Sequence, residues 1–173
     1  MHKPIFLIGF MGSGKTTLGK KLAKLLELKF IDLDQVIVDR INMSIPDYFK
    51  AFGEEQFRQL EREVLQEQAG QAAIVSTGGG SPCFYDNMDW ILQNGISIYL
   101  VLSVKALHHR LQQSNIATRP ALKGLQGDAL LAFIEEKLSE REPYYKQADI
   151  HIDQLNTTLE SIRQSIQNHE KNT

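Results

Sequence analysis

A glycine-rich stretch near the start of the chain, GFMGSGKTT over residues 9–17, constrains the fold more than any other feature. It fits the pattern G-x-x-x-x-G-K-[ST], in which glycines let backbone N–H groups turn inward around a phosphate chain. Lys15 adds a positive charge for the β and γ phosphates, and the Thr16 hydroxyl is a hard oxygen ligand suited to Mg²⁺. The competing interpretation is an ordinary glycine turn. We predict a triphosphate site formed by Gly12, Ser13, Gly14, Lys15, Thr16 and Thr17.

Apolar runs of strand length alternate with longer segments of helical period on both sides of this loop. Most of the runs are apolar on both faces, which is typical of strands sandwiched between helices in a parallel sheet. The pattern predicts an α/β fold. The predicted strands are Ile5–Ile8, Leu28–Ile31, Ala73–Val75, Ile96–Leu102 and Ile150–Ile152.

Composition limits the domain count and the classes of partner. The chain has 173 residues, 42% of them hydrophobic, which predicts a single domain over residues 1–173. Its 19 basic and 21 acidic residues give a net charge of -2, with no basic block that would bind nucleic acid or an anionic membrane. Cys83 is the single cysteine, which excludes an internal disulfide and favours a reducing, cytoplasmic setting.

Three further expectations come from local pattern. The apolar start is interrupted by Gly9 and is too short for a signal peptide or a membrane helix. Residues 114–127 are polar, lack periodicity and carry Pro120, Gly124 and Gly127, which predicts a mobile lid loop. There is no heptad pattern, so we expect a monomer.

The second predicted strand ends in Asp32-Leu33-Asp34. On an extended chain both carboxylates would project to the same side, at the sheet edge where α/β proteins bind ligands. One could hold Mg²⁺ through its water shell while the other orients or deprotonates an attacking hydroxyl. The alternative is that Asp34 only caps the helix that follows.

In the segment GEEQFRQLE, residues 53–61, a second helix is predicted to begin at Glu54, and it carries Arg58 and Glu61 three positions apart, a spacing at which they can pair. Ser44 is expected to cap the preceding helix and Gly53 to break it. Phe57 turns the apolar face inward, which places Arg58 at the edge of the core. The alternative is a surface ion pair of little consequence.

The third predicted strand runs into Thr77-Gly78-Gly79-Gly80. Successive glycines after a buried strand leave the backbone bare for close approach by a ligand, although a floppy connection would also contain them. No acid ends this strand, so the carboxylate near the metal is expected to be Asp32.

Two arginines complete the candidate set. Arg119 lies in the predicted lid, from which it could neutralise charge on the γ phosphate in the transition state. Arg141 is expected at a helix end set by Pro143, and its planar fork suits a carboxylate.

Taken together, the segments GFMGSGKTT, DLD, GEEQFRQLE, STGGG, TRP and REPYY resemble shikimate kinases in order and spacing over nearly the whole chain. The resemblance implies a three-layer α/β/α fold with a five-stranded parallel sheet, of the P-loop, nucleoside monophosphate kinase type. It also implies that the γ phosphate of ATP passes to the 3-hydroxyl of shikimate, giving shikimate 3-phosphate and ADP in the pathway to the aromatic amino acids.

The resemblance implies a role for each matching position. Lys15 and the lid arginine, Arg119, would contact the phosphates, and Thr16 and Asp32 would serve Mg²⁺ directly or through water. Asp34 would bind ring hydroxyls and act as the candidate base. The shikimate carboxylate would lie between Arg58 and Arg141, with backbone contacts from Gly79 and Gly80 and walls from Phe49 and Phe57.

The sequence departs from the family where many relatives carry a basic residue that stacks on adenine. Matching the lid arginine puts Gln112 or Gln113 near that place, with Arg110 slightly earlier. The rival enzymes are a gluconate kinase or a nucleotide kinase of the same architecture. A rival of another class is a regulatory module without phosphotransfer, and the presence of Lys15, Asp34 and Arg119 argues against it.

Overall fold

A computed structural model describes residues 3–114 and 120–172. Its five strands form one sheet in which every neighbouring pair is parallel. The strands are β1 (Ile5–Ile8), β2 (Lys29–Asp32), β3 (Ala73–Ser76), β4 (Ile96–Val101) and β5 (Ile150–Asp153). Each predicted strand is confirmed to within one residue at either end.

Helices connect successive strands, as parallel pairing requires. Short 3₁₀ turns at Ser81–Cys83 and Pro120–Leu122 supplement them. The helices are α1 (Lys15–Leu26), α2 (Leu33–Ile41), α3 (Ile45–Gln66), α4 (Asn87–Asn94), α5 (Val104–Gln112), α6 (Gly127–Tyr145) and α7 (Leu159–Asn172).

The sheet has the order β2-β3-β1-β4-β5, with β1 in the centre. From β1 the chain leads to one side, through β2 and β3, and then crosses to β4 on the other side. Ligands of open α/β sheets bind at the carboxyl ends of the strands where the order reverses. The loop that follows β1 lies at this switch point.

Two hydrophobic clusters cover the two faces of the sheet. Because side chains alternate along a strand, Phe6 and Ile8 join one cluster, while Ile5 and Leu7 join the other. The cluster with Phe6 and Ile8 contains apolar residues of α2 to α6, and the cluster with Ile5 and Leu7 contains those of α1 and α7. This arrangement explains why β1 is apolar at every position, and it confirms the predicted three-layer α/β/α fold.

Two local expectations were wrong, and a third is confirmed. The extended chain ends at Asp32, and α2 starts at Leu33, so Asp34 lies in a first helical turn and not on a strand. Pro143 does not set the end of α6, which continues to Tyr145. The predicted break at Gly53 is confirmed, because its backbone is not helical, with φ 83°, and it separates the two helical stretches that together form the kinked α3.

No helix among residues 3–114 and 120–172 combines the length and the apolar character that crossing a membrane requires.

Candidate active site

The loop between β1 and α1 has the backbone that a phosphate-binding loop needs. Gly12 and Gly14 have φ of 78° and 91°, values that favour glycine, and Gly14 directly precedes the first residue of α1. Lys15 is buried and its Nζ donates to the carbonyls of Gly9 at 2.8 Å and Phe10 at 3.0 Å. The lysine therefore braces the loop, and the amino end of α1 points at the enclosed space.

Two oxygen-bearing side chains that could hold a metal ion meet beside this loop. The Thr16 hydroxyl donates to Oδ2 of Asp32 at 2.9 Å, and Oδ1 of Asp32 accepts from the backbone N–H of Asp34 at 3.2 Å. Asp32 is thus the residue that caps α2, and the alternative that Asp34 caps it is wrong. A hydroxyl beside a carboxylate is a donor set that suits Mg²⁺.

The glycine run after β3 is the meeting point of the site, because each glycine lies against a different partner. A Cβ atom on Gly79 would lie 3.0 Å from the amide nitrogen of Met11 in the phosphate-binding loop. On Gly78 it would lie 2.5 Å from Oε1 of Glu61 and 3.3 Å from Oδ1 of Asp34. On Gly80 it would lie 3.1 Å from both terminal nitrogens of Arg58. Larger residues would push these groups apart, so the bare backbone serves protein packing as well as ligand approach.

Arg58 is held in a mostly buried position, with 11% of its side chain exposed. Nη1 donates to Glu61 at 2.8 Å and Nη2 to Glu54 at 3.1 Å. The guanidinium lies 4.0 Å from the ring centre of Phe84 and 5.3 Å from that of Phe57. Burial and aromatic contact fix the direction of the guanidinium, so the alternative of a surface ion pair is wrong.

Glu61 is the charged residue that sequence reasoning undervalued. Its side chain is 2% exposed, and this burial raises its pKa to about 7 against the opposing effect of Arg58. The signal was present in the sequence. Glu61 falls on the same helical stripe as the buried residues Phe57, Val64 and Leu65.

Arg141 reaches the same region from α6. Its guanidinium lies 5.5 Å from the ring centre of Phe10, and its charge lowers the pKa of both Glu61 and Cys83, as that of Arg58 does. Nη1 of Arg141 is buried without a hydrogen-bond partner among the described residues. A buried guanidinium donor left in this state is a position that an anionic ligand would satisfy.

Arg110 lies over the phosphate-binding loop. The sequence predicts Gln112 or Gln113 near this position, with Arg110 slightly earlier. Its Nη1 donates to the carbonyl of Ser13 at 3.1 Å and to Oε1 of Gln154 at 2.6 Å. Gln112 and Gln113 are exposed at the end of α5. The basic side chain beside the loop is thus Arg110, and Gln154 after β5 is a contact that no motif indicated.

Most of these groups line one cleft of about 680 Å³ at the carboxyl end of the sheet. Two of the predicted residues within the described part of the chain are not among those that line the cleft. Ser13 is fully buried, and Arg141 is not part of the cleft wall. Arg119 lies outside the described residues. The predicted residues that line the cleft are Gly12, Gly14, Lys15, Thr16, Thr17, Asp32, Asp34, Phe49, Phe57, Arg58, Gly79 and Gly80.

Comparison with known proteins identifies the family. The family model for shikimate kinase matches residues 11–170. The chain belongs to the shikimate kinase family. A shikimate kinase from Parabacteroides distasonis is 46% identical over 167 residues, which cover 96% of each chain.

Solved shikimate kinases share the fold over nearly the whole length. That from Bacteroides thetaiotaomicron is 39% identical, with a TM-score of 0.83 over 98% of this chain and 97% of the other. A shikimate kinase from Acinetobacter baumannii in complex with shikimate is 32% identical, with a TM-score of 0.84 over 96% and 91%. The predicted fold of the P-loop, nucleoside monophosphate kinase type is confirmed.

Proposed function

We propose that this shikimate kinase family member transfers the γ phosphate of ATP to the 3-hydroxyl of shikimate, giving shikimate 3-phosphate and ADP in the pathway to the aromatic amino acids. The observation that carries the proposal is the contact between Gly79 and Met11. It places the turn beside Arg58 directly against the phosphate-binding loop. The cleft therefore has two halves side by side: a donor half that binds ATP and an acceptor half that suits a carboxylate with several hydroxyl groups.

The donor half holds the triphosphate of ATP. Backbone N–H groups of Gly12, Ser13 and Gly14 surround the phosphates. Thr17, in the first turn of α1, lies beside them. Lys15 turns from the loop carbonyls to the β and γ phosphates. Arg119 approaches from the lid, residues 114–127, and stabilises charge that develops in the transition state.

Thr16 would hold directly a magnesium ion that accompanies ATP, and Asp32 would hold it through water. The two oxygens lie 2.9 Å apart, which fits this divided role. When bound, the ion neutralises charge on the β and γ phosphate oxygens.

The acceptor half orients shikimate. Arg58 and Arg141 bind its carboxylate, and the backbone of Gly79 and Gly80 contacts ring hydroxyls. Asp34 accepts a hydrogen bond from the 3-hydroxyl and takes its proton as the oxygen attacks the γ phosphorus. The bond from that phosphorus to the β-phosphate oxygen breaks, and ADP leaves. Positioning and charge stabilisation supply most of the rate enhancement in such a reaction.

We propose the simplest setting for this activity. The chain acts as a single domain over residues 1–173, as a cytoplasmic monomer whose partners are ATP and shikimate, with no role for nucleic acid or membrane. The net charge of -2 and the single cysteine support this setting.

A coupled assay of ADP release tests the function. Purified full-length chain with MgATP is given shikimate, gluconate or no acceptor, and we expect ADP release that depends on shikimate alone. ADP release that is independent of shikimate, or a preference for gluconate, would overturn the proposal.

A further inference from the structure

Tyr145, the last residue of α6, is fully buried at the junction of two elements that carry the acceptor half. Its hydroxyl donates to the carbonyl of Gly79 at 2.5 Å, across 66 positions of sequence. Its ring lies against that of Tyr99 on β4, with ring centres 5.2 Å apart. The side chain thus joins the end of α6 both to the central sheet and to the turn that follows β3.

Arg141 lies four positions before Tyr145 on α6, so the two side chains share one face of the helix. Burial raises the pKa of Tyr145, and the charge and hydrogen bonding of Arg141 oppose this increase. A neutral phenol has one hydrogen to donate, and here Gly79 receives it. The phenol oxygen remains able to accept a hydrogen bond from a guanidinium N–H.

Among the side-chain hydrogen bonds of the described residues, the one from Tyr145 joins Gly79 to α6, the helix that carries Arg141. Gly79 belongs to a run of glycines that packs closely against the phosphate-binding loop and α3, and Arg141 has a buried Nη1 without a hydrogen-bond partner among the described residues. α6 also packs against the 3₁₀ turn, Ser81–Cys83, that follows the glycine run. The hydrogen bond from Tyr145 fixes the Gly79 carbonyl itself relative to the helix that carries Arg141.

We propose that Tyr145 is a positioning residue for the acceptor half, holding the Gly79 turn and Arg141 at the spacing that the carboxylate and ring hydroxyls of one small molecule require. This inference rests on the proposed function. It assigns a task to the second tyrosine of the REPYY segment, a residue that touches neither ATP nor shikimate in that function.

The chain offers matched controls for a test by removal of one oxygen atom. Tyr145→Phe keeps the buried ring and loses the bond to Gly79. Tyr144→Phe removes a hydroxyl from the neighbouring exposed tyrosine, and Tyr99→Phe removes one from the same buried aromatic pair. The full-length variants are compared with wild type in steady-state assays with shikimate varied at saturating MgATP, and with ATP varied at saturating shikimate.

We expect Tyr145→Phe to raise the KM for shikimate about fivefold to tenfold, the effect of one lost hydrogen bond, and to change the KM for ATP less than about twofold. Both control variants should retain both wild-type KM values. An unchanged KM for shikimate in Tyr145→Phe, an equal rise in both KM values, or the same rise in Tyr99→Phe would overturn the inference. Wild-type protein without shikimate-dependent turnover would instead overturn the proposed function.

A second measurement uses the wild-type chain, so that it does not depend on the folding of a variant. Amide hydrogen exchange is followed with and without shikimate, and residues 78–80 and 141–146 should gain protection together, over the same range of shikimate concentration. Protection of one segment without the other would mean that Tyr145 does not couple them.

Discussion

Replacing Glu61 by glutamine should remove a pH dependence of stability that this buried carboxyl imposes on the fold. Glu61 lies against Gly78, and its carboxyl group is almost completely removed from water, since its side chain is 2% exposed. Its pKa rises from 4.5 to about 7, mainly because burial disfavours the charged form. Arg58 and Arg141 oppose this rise, and Asp34 adds to it.

The sign and size of the effect follow from proton binding. Between pH 4.5 and about 7 the folded chain holds a proton at Glu61 that the unfolded chain has lost. The free energy of unfolding therefore falls as pH rises through this range, by about 1.4 kcal/mol for each pH unit and about 3 kcal/mol in all. The stabilising contribution is fully present below pH 4.5 and is lost above about pH 7.

Urea unfolding between pH 4 and pH 8 measures this contribution. Taking the difference between wild type and Glu61→Gln cancels the titration of the other groups, and that difference should fall by about 3 kcal/mol as pH rises. Glu63→Gln, at an exposed position of the same helix, is the matched control and should follow the wild-type pH dependence. A difference between wild type and Glu61→Gln that does not vary with pH would refute the reasoning.

Three shorter predictions concern the proposed chemistry. Arg58→Ala should raise the KM for shikimate about tenfold to a hundredfold, as expected for a lost bond to a charged group, and should leave the KM for ATP nearly unchanged. Arg62→Ala, which removes a more exposed arginine of the same helix, is its control, and equal effects of Arg58→Ala on both substrates would contradict a carboxylate-binding role. Asp34→Asn should lower kcat by about a hundredfold or more with ATP binding retained, as measured by titration with a fluorescent nucleotide, and retained turnover would remove Asp34 as the base. Chelation of divalent cations should abolish ADP release and added Mg²⁺ should restore it, so turnover that persists in excess chelator would argue against the metal.

Some features of the site could be predicted because neighbouring residues in the chain produce them. The phosphate-binding loop follows from glycine spacing and from the two elements that flank it, and the strands follow from short apolar runs. Asp32 lies at the carboxyl end of the second strand, as predicted, but the change from strand to helix at Leu33 was missed. This boundary depends on the capping hydrogen bond from the Asp34 N–H to the Asp32 side chain. The alternative is a strand that is longer by a residue or two, and the local sequence does not decide between the two.

Long-range contacts could not be predicted in the same way. Arg110 and Gln154 are 44 positions apart, and Tyr145 and Gly79 are 66 apart, yet each pair is joined by a hydrogen bond. Residues at such distances meet only when the crossovers have stacked the strands in the order β2-β3-β1-β4-β5.

The sequence by itself determined the α/β class, the phosphate-binding loop and the chemical type of each candidate residue, because backbone conformation and side-chain chemistry are local properties. The tertiary structure alone decided which of those residues are buried and what they face. Glu61 looked like half of a surface ion pair, but packing against Gly78 and Arg58 removes it from water and shifts its pKa to about 7. Desolvation depends on every element that surrounds a group, and in this chain those elements come from distant parts of the sequence.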